Sequence, residues 1–216
     1  DVYLTIDKDL QIAVYKILEQ RIAGIVLANL RNIKEYDASG TTDTSSIPIA
    51  VYDVYYALIN NNIIDYRKFG EDTASDNEKN IHGKFISRQE SVLEKFNRQL
   101  TGSDNTAYKD LSDADKAYQS YVVNDMLMSD TGILDTSLID TEDDTYKAWK
   151  SEETVSIHDF LRYCATMNWI DVSQIAGDKS YLSTEEILDA LWVYIEDYLK
   201  EDPGFSKLIY KYMCCG

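Results

Sequence analysis

Acyl transfer by a serine nucleophile is the first chemistry to test, because lysine can activate a serine that lies one helical turn before it. Such a site needs a Ser-x-x-Lys motif, a Ser-x-Asn triplet and a Lys-[Ser/Thr]-Gly strand. No serine here has lysine three positions on, and neither Lys-Ser-Gly nor Lys-Thr-Gly occurs. Two isolated triplets, Ser75-Asp76-Asn77 and Ser103-Asp104-Asn105, match by chance and are expected to be structural. The sequence therefore predicts no catalytic residue.

Metal and cofactor motifs are also missing from the sequence. The two histidines, His82 and His158, belong to no His-Glu-x-x-His pair, and no nucleophile elbow, phosphate loop or dinucleotide fingerprint occurs. Each follows a helix start, which favours a solvated or capping role. The acidic run at residues 140–144 lacks the ligand spacing and glycine of an EF-hand, so we expect a loop and a negatively charged first helical turn. No metal and no cofactor is predicted.

Composition limits the classes of partner. The chain has 216 residues, and its 38 acidic against 21 basic side chains give a net charge of −17. This charge disfavours nucleic acid and anionic lipid, and it predicts a solvated acidic surface, with cationic partners or loosely held divalent ions as the alternative. No apolar run approaches the ~20 residues that span a bilayer, so we expect no direct membrane contact.

Cysteine and tryptophan positions favour packing roles. Cys164 lies in an apolar helical stretch and is expected to be buried, whereas Cys214 and Cys215 are adjacent and leave their redox state open. The three tryptophans, Trp149, Trp169 and Trp192, fall within or beside helical stretches. We expect core or subunit packing for them rather than a platform for sugars.

Helical spacing dominates after a short strand at residues 2–6. Residues at i, i+3 and i+4 spacing predict a first helix with one buried face, and a polar run at residues 37–46 ends this region. A second helix is predicted at residues 50–59, ending at three asparagines, 60–62, because asparagine tolerates the left-handed conformation. The predicted buried face comprises Leu10, Val14, Ile17, Leu18, Ile22, Ile25 and Leu30.

Four later helices are predicted from a hydroxyl three residues before an acid, the capping signature. Asp202-Pro203 predicts a last helix with proline at its first position. The predicted fold is an all-α, multi-helix bundle with one N-terminal extended segment at residues 1–6. The four capping pairs are Ser75/Glu78, Ser112/Asp115, Ser156/Asp159 and Ser183/Glu186.

A possible internal sequence repeat predicts two related helical subdomains, at about residues 50–100 and 156–200. Val51-x-Asp53 precedes Asn62-x-Ile64-Asp65, and Ile157-x-Asp159 precedes Asn168-x-Ile170-Asp171 at the same spacing. The predicted unit is a short helix, an asparagine stop, a turn and a longer capped helix. Chance similarity between amphipathic helices remains the alternative.

The opening segment resembles a known enzyme family. Leu4-Thr5-Ile6-Asp7 followed by Leu10-Gln11 resembles the start of the transpeptidase domain of penicillin-binding proteins, where a strand enters the first helix. The resemblance divides the chain into the start of that domain, residues 1–22, and a helical insertion, residues 23–216. This insertion resembles the helical insertions in penicillin-binding proteins of clostridia. The resemblance rests on the segments 57–62, 146–151, 168–171 and 205–207.

The resemblance implies a membrane-anchored D,D-transpeptidase that cross-links peptidoglycan on the extracytoplasmic face of the bacterial membrane. This chain would be its non-catalytic insert, a spacer or protein-docking module. The implied partners are the rest of the transpeptidase, other cell-wall synthesis proteins or peptidoglycan. No catalytic residue carries over, because no position matches the family's motifs.

Two other functions stay open from the sequence. A glycan-binding module would expose a tryptophan on a concave surface. A stand-alone hydrolase would place two carboxylates under about 10 Å apart in a cleft, as glycosidases do.

Overall fold

The computed structural model describes residues 7–34, 36, 47–175, 177 and 181–215. Over these residues the predicted all-α fold is confirmed, and the predicted extended segment at residues 1–6 lies outside them. The chain forms two compact units, residues 1–65 with 214–216, and residues 66–213.

In its described residues, the first unit contains two helices and a minimal sheet. Helix α1 spans Lys8–Asn29 and helix α2 spans Val51–Asn60. Between them, β1 (Leu30–Arg31) pairs in parallel with β2 (Ile49–Ala50). The sequence did not predict this sheet, because two-residue strands are too short to produce alternating polarity.

The predicted buried face of α1 is wrong. No residue of α1 is buried, and Leu10, Ile17 and Ile25 are 63%, 58% and 62% exposed. Spacing predicts which side of a helix is suited to burial, but it does not show that another surface covers that side.

The second unit contains most of the helices and three 3₁₀ turns at residues 66–70, 108–110 and 172–174. A π-helix continues α4 directly. In chain order the longer elements are α3 (Asp76–Leu100), α4 (Asp113–Ser120), the π-helix (Tyr121–Asp130), α5 (Asp144–Lys150), α6 (Ile157–Thr166), α7 (Thr184–Glu201) and α8 (Pro203–Cys215).

All four predicted serine caps are confirmed. Each serine accepts a hydrogen bond from the backbone N–H three residues on, before α3, α4, α6 and α7. The glutamates Glu78 and Glu186 also accept from the backbone N–H of Ser75 and Ser183 at 2.8 and 2.9 Å. These reciprocal bonds satisfy backbone donors that would otherwise be orphaned at the helix start.

The predicted asparagine stops are confirmed in both segments of the predicted repeat. Asn62 and Asn168 have φ angles of 56° and 55°. The hydrogen bond from Ile63 N to Leu58 O recurs as Trp169 N to Cys164 O, each at 2.9 Å. A 3₁₀ turn and a capping-box helix follow in both copies. The local structure thus recurs, although the division of the chain after Asp65 falls inside the first copy.

The core of the second unit forms where α6 packs on α7 and α3 contacts both. Phe160, Leu161 and Cys164 of α6 are fully buried, which confirms the packing role predicted for Cys164; burial also raises the pKa of its thiol. An aromatic cluster adds to this core, since the rings of Phe85 and Tyr210 stack at 4.5 Å. Complete burial of each such side chain stabilises the fold by about 1.5–3 kcal/mol.

Two tyrosines fix the ends of the π-helix to other elements. The hydroxyl of Tyr121 donates to Asp202 at the start of α8, and Tyr198 Oη of α7 donates to Asp130 Oδ2 at 3.0 Å. Gly204 permits the first contact, because a Cβ there would overlap the Tyr121 hydroxyl. π-Helices are usually single turns, so these contacts hold an unusually long one in place.

Replacing Gly204 with alanine should destabilise the protein by about 1–3 kcal/mol, because the new methyl group overlaps the Tyr121 hydroxyl. Urea unfolding followed by circular dichroism measures this. Gly83→Ala is the matched control: a Cβ at Gly83 meets nothing within 4 Å, so it should stabilise α3 by up to about 1 kcal/mol. In a double-mutant cycle, Tyr121→Phe should relieve part of the Gly204→Ala cost, and strict additivity would contradict the clash.

Alkaline pH should weaken the Tyr198 contact. Burial first, and then the hydrogen bond to Asp130, raise the pKa of Tyr198 from 10.0 to about 12. The folded state therefore holds this proton more tightly, and its contribution to stability is complete below pH 10 and lost as pH rises through about 12. The free energy of unfolding should fall less steeply over this range in Tyr198→Phe than in the parent chain. Identical slopes would contradict the contact.

Candidate functional site

The two Ser-x-Asn triplets have structural roles. Ser75 caps α3, as expected. In the second triplet, Asn105 joins its loop to α6: its Nδ2 donates to Asp159 Oδ2 at 3.0 Å, and its Oδ1 accepts from Ser156 Oγ at 2.5 Å. Both triplets are thus occupied in holding helix starts.

Both histidines pack over glycines. His158 Nδ1 lies 2.7 Å from the carbonyl oxygen of Leu100, the last residue of α3, and the ring packs over Gly102, whose φ is +75°. The ring of His82 packs in the same way over Gly70. His158 thus contacts the C-terminal end of α3 rather than the start of its own helix, and His82 is a packing residue.

The acidic run at residues 140–144 is used in forming α5. Asp143 caps the helix by accepting from Thr145 N and Tyr146 N at 2.9 Å, and its other oxygen accepts from Tyr163 Oη at 2.7 Å. These bonds lower the pKa of the Asp143 carboxyl, the Tyr163 bond most. The predicted loop and negative first turn are confirmed. Within the described residues, no three histidine, cysteine or acidic side chains converge on a metal position.

The first candidate functional surface is α1. It starts where Asp7 accepts hydrogen bonds from Asp9 N and Leu10 N at 2.8 and 3.1 Å. Exposed apolar side chains also lie away from the predicted stripe, such as Ile12 and Leu27, which are 43% and 74% exposed. A helix that is apolar around its circumference is typical of a buried helix. Most of the surface of α1 is therefore suited to packing against another apolar surface.

The second candidate surface surrounds Trp192 on α7. Trp149 and Trp169 are buried, as expected, and contact other rings: Trp149 stacks on Phe160 at 4.7 Å, and Trp169 meets Tyr163 at 5.6 Å. Trp192 differs, because it is partly exposed and contacts no aromatic ring or cation among the described residues. Trp192 is therefore not a core residue, and subunit packing, the other role expected for it, stays a prediction.

Trp192 lies between two concavities along the groove where α3 and α7 pack together. One, of about 280 Å³, is lined by Glu90, Leu93, Glu94, Asn97 and Glu196 beside Trp192. The other, of about 70 Å³, includes Thr101, His158, Glu185 and Asp189 beside Trp192. The sequence did not predict this groove, since helical spacing alone does not say which residues of α3 face α7.

No family model, curated protein or solved structure matches the chain. The helices of the described part are each too short or too polar to cross a bilayer.

Truncating an exposed side chain of α1 should barely affect stability. Leu18 is 55% exposed, so Leu18→Ala should change the free energy of unfolding by less than about 0.5 kcal/mol. Leu191→Ala in α7, where the side chain is 1% exposed, should cost about 2–5 kcal/mol. Urea unfolding of both variants provides the comparison. Equal losses would show that α1 is covered in the chain by itself.

Proposed function

We propose that this chain is a non-catalytic helical insertion domain of an extracytoplasmic penicillin-binding protein. In this proposal α1 is the first helix of the parent's transpeptidase domain, and the later helices act as a spacer or protein-docking module. The parent would cross-link peptidoglycan from the outer face of the membrane, to which its own N-terminal segment anchors it.

The exposure of α1 carries the proposal. The segment that resembles the family, Leu4 to Gln11, leads into this helix, and its Asp7 is the N-cap. The helix presents apolar side chains on all sides and buries none of them. A transpeptidase domain would supply the missing cover, because its sheet lies beside its first helix.

The energetics favour a covered helix. Each fully covered leucine or isoleucine contributes about 1.5–3 kcal/mol relative to exposure. The cover would therefore stabilise α1 strongly, even after the entropy of ordering is subtracted. Neither nucleic acid nor membrane is a partner in this proposal, since the chain carries a net charge of −17.

The roles of the serines support a non-catalytic assignment. Ser75, Ser112, Ser156 and Ser183 each accept a backbone N–H at a helix start. A serine held in this way is not poised beside a lysine base.

The surrounding reading frame and penicillin labelling test the proposal together. The frame should encode a transmembrane helix upstream, and a Ser-x-x-Lys, Ser-x-Asn and Lys-Thr-Gly series downstream. Fluorescent penicillin should label the longer protein covalently and leave this chain unlabelled. The control is the longer protein with its motif serine replaced by alanine, which should also stay unlabelled.

Stoichiometric labelling of this chain alone would contradict the non-catalytic assignment. A reading frame without the motif series would contradict the parent.

A glycan-binding module is the second candidate, and one observation favours it. Trp192 is the partly exposed tryptophan beside a concave surface. The indole ring can stack on the face of a sugar. The flanking carboxylates and the Asn97 amide can form hydrogen bonds with its hydroxyl groups. Peptidoglycan pull-down with Trp192→Leu as the control tests this candidate.

A further inference from the structure

The groove around Trp192 combines a partly exposed indole ring with negatively charged side chains. Both concavities adjoin the same indole, so a ligand on either side contacts Trp192. The charged side chains that line the groove are carboxylates: Glu90, Glu94, Glu185, Asp189 and Glu196. No lysine or arginine is among the described lining residues.

Three of these carboxylates already have cations outside the groove, but the pairs are weak. Glu94 meets Arg98 at 3.3 Å with side chains 77% and 51% exposed, and Glu185 meets Arg162 at 3.2 Å with side chains 65% and 55% exposed. The third pair joins Glu196 to Lys200 at 2.8 Å, with side chains 34% and 46% exposed. Pairs this exposed contribute little, because water and salt screen them. An incoming cation can therefore replace them at small cost.

The remaining carboxylates have no ion pair of their own. Glu90 and Asp189 are exposed and form no salt bridge among the described residues. A cleft lined by one sign of charge concentrates the field and attracts the opposite charge. The surplus of acidic residues over the whole chain acts in the same direction.

Trp192 adds an aromatic ring that can bind a cation. Of the aromatic side chains, the indole face binds ammonium and guanidinium groups best, within about 6 Å of the ring centroid. The rings of the other tryptophans pack in the core, whereas Trp192 is partly exposed and contacts no aromatic ring or cation among the described residues.

We propose that the α3–α7 groove at Trp192 is a docking site for a basic segment of a partner protein. An arginine or lysine side chain would lie over the Trp192 indole, and flanking basic residues would meet Glu90 and Glu196 on one side and Asp189 on the other. This inference goes beyond the proposed function and does not depend on which enzyme contains the chain.

Binding of short peptides to the full chain tests the proposal. The probe is a capped tetra-arginine peptide, and the matched uncharged probe is tetra-citrulline, which keeps the shape and removes the charge. Calorimetry and Trp fluorescence should show binding of tetra-arginine alone. The affinity should fall as salt rises from about 0.05 to 0.5 M, since added ions screen exposed charges.

Variants locate the site. Glu90→Gln, Glu94→Gln and Glu196→Gln combined should raise the Kd for tetra-arginine at least tenfold. Trp192→Leu should raise it about two- to fivefold, the loss of one cation–π contact. The control combines Asp113→Asn, Asp125→Asn and Asp144→Asn, exposed positions outside the groove with the same total charge change. It should change the Kd less than twofold.

Three results would overturn the proposal. Equal weakening by the two triple variants would assign binding to overall charge. Binding of an N-acetylglucosamine oligomer that is insensitive to salt and lost in Trp192→Leu, without tetra-arginine binding, would make the groove a sugar site. Binding of neither probe would remove the site altogether. Circular dichroism of each variant confirms that it is folded.

Discussion

Apolar side chains on a helix stabilise it in water when another surface covers them. This constraint distinguishes α7, whose apolar face is buried, from α1, whose apolar side chains are exposed. In α7, Ile187, Leu191, Ile195 and Leu199 lie on one side and are buried against α3 and α6. In α1 the same residue types are exposed around the whole helix. In proteins, most of the stability of a helix comes from tertiary packing of its apolar side chains. A surface that packed on these side chains would therefore stabilise α1.

Local backbone chemistry sets where the helices begin and end. Serine caps begin four of them, and left-handed asparagines at 62 and 168 end two. These signals involve residues three to five positions apart, so they do not depend on tertiary contacts. Their recurrence accounts for the repeated order of helix, stop, 3₁₀ turn and capped helix. It does not require that the two copies pack alike, since their apolar residues differ in burial: Trp169 is 3% exposed, whereas Ile63 at the equivalent position is 72% exposed.

The features that the sequence predicted are the local ones. Caps at Ser75 and Ser183, the stop at Asn62 and the burial of Cys164 follow from residue type and spacing alone. The contacts that were missed join distant positions: Tyr121 and Asp202 are 81 residues apart, and the groove at Trp192 forms only when α7 packs on α3. The α1 prediction failed for a different reason. Its spacing identifies a face that is suited to burial, but spacing does not show that another surface covers that face.

The central claim, that α1 is a docking helix whose cover belongs to another part of a longer protein, is tested most directly by amide hydrogen exchange. In this chain alone, the amides of α1 should exchange far faster than those of α7, because opening an uncovered helix costs little. In the longer penicillin-binding protein proposed here, α1 should become as protected as α7. Strong protection of α1 in the chain alone, or no gain of protection in the longer protein, would contradict the account.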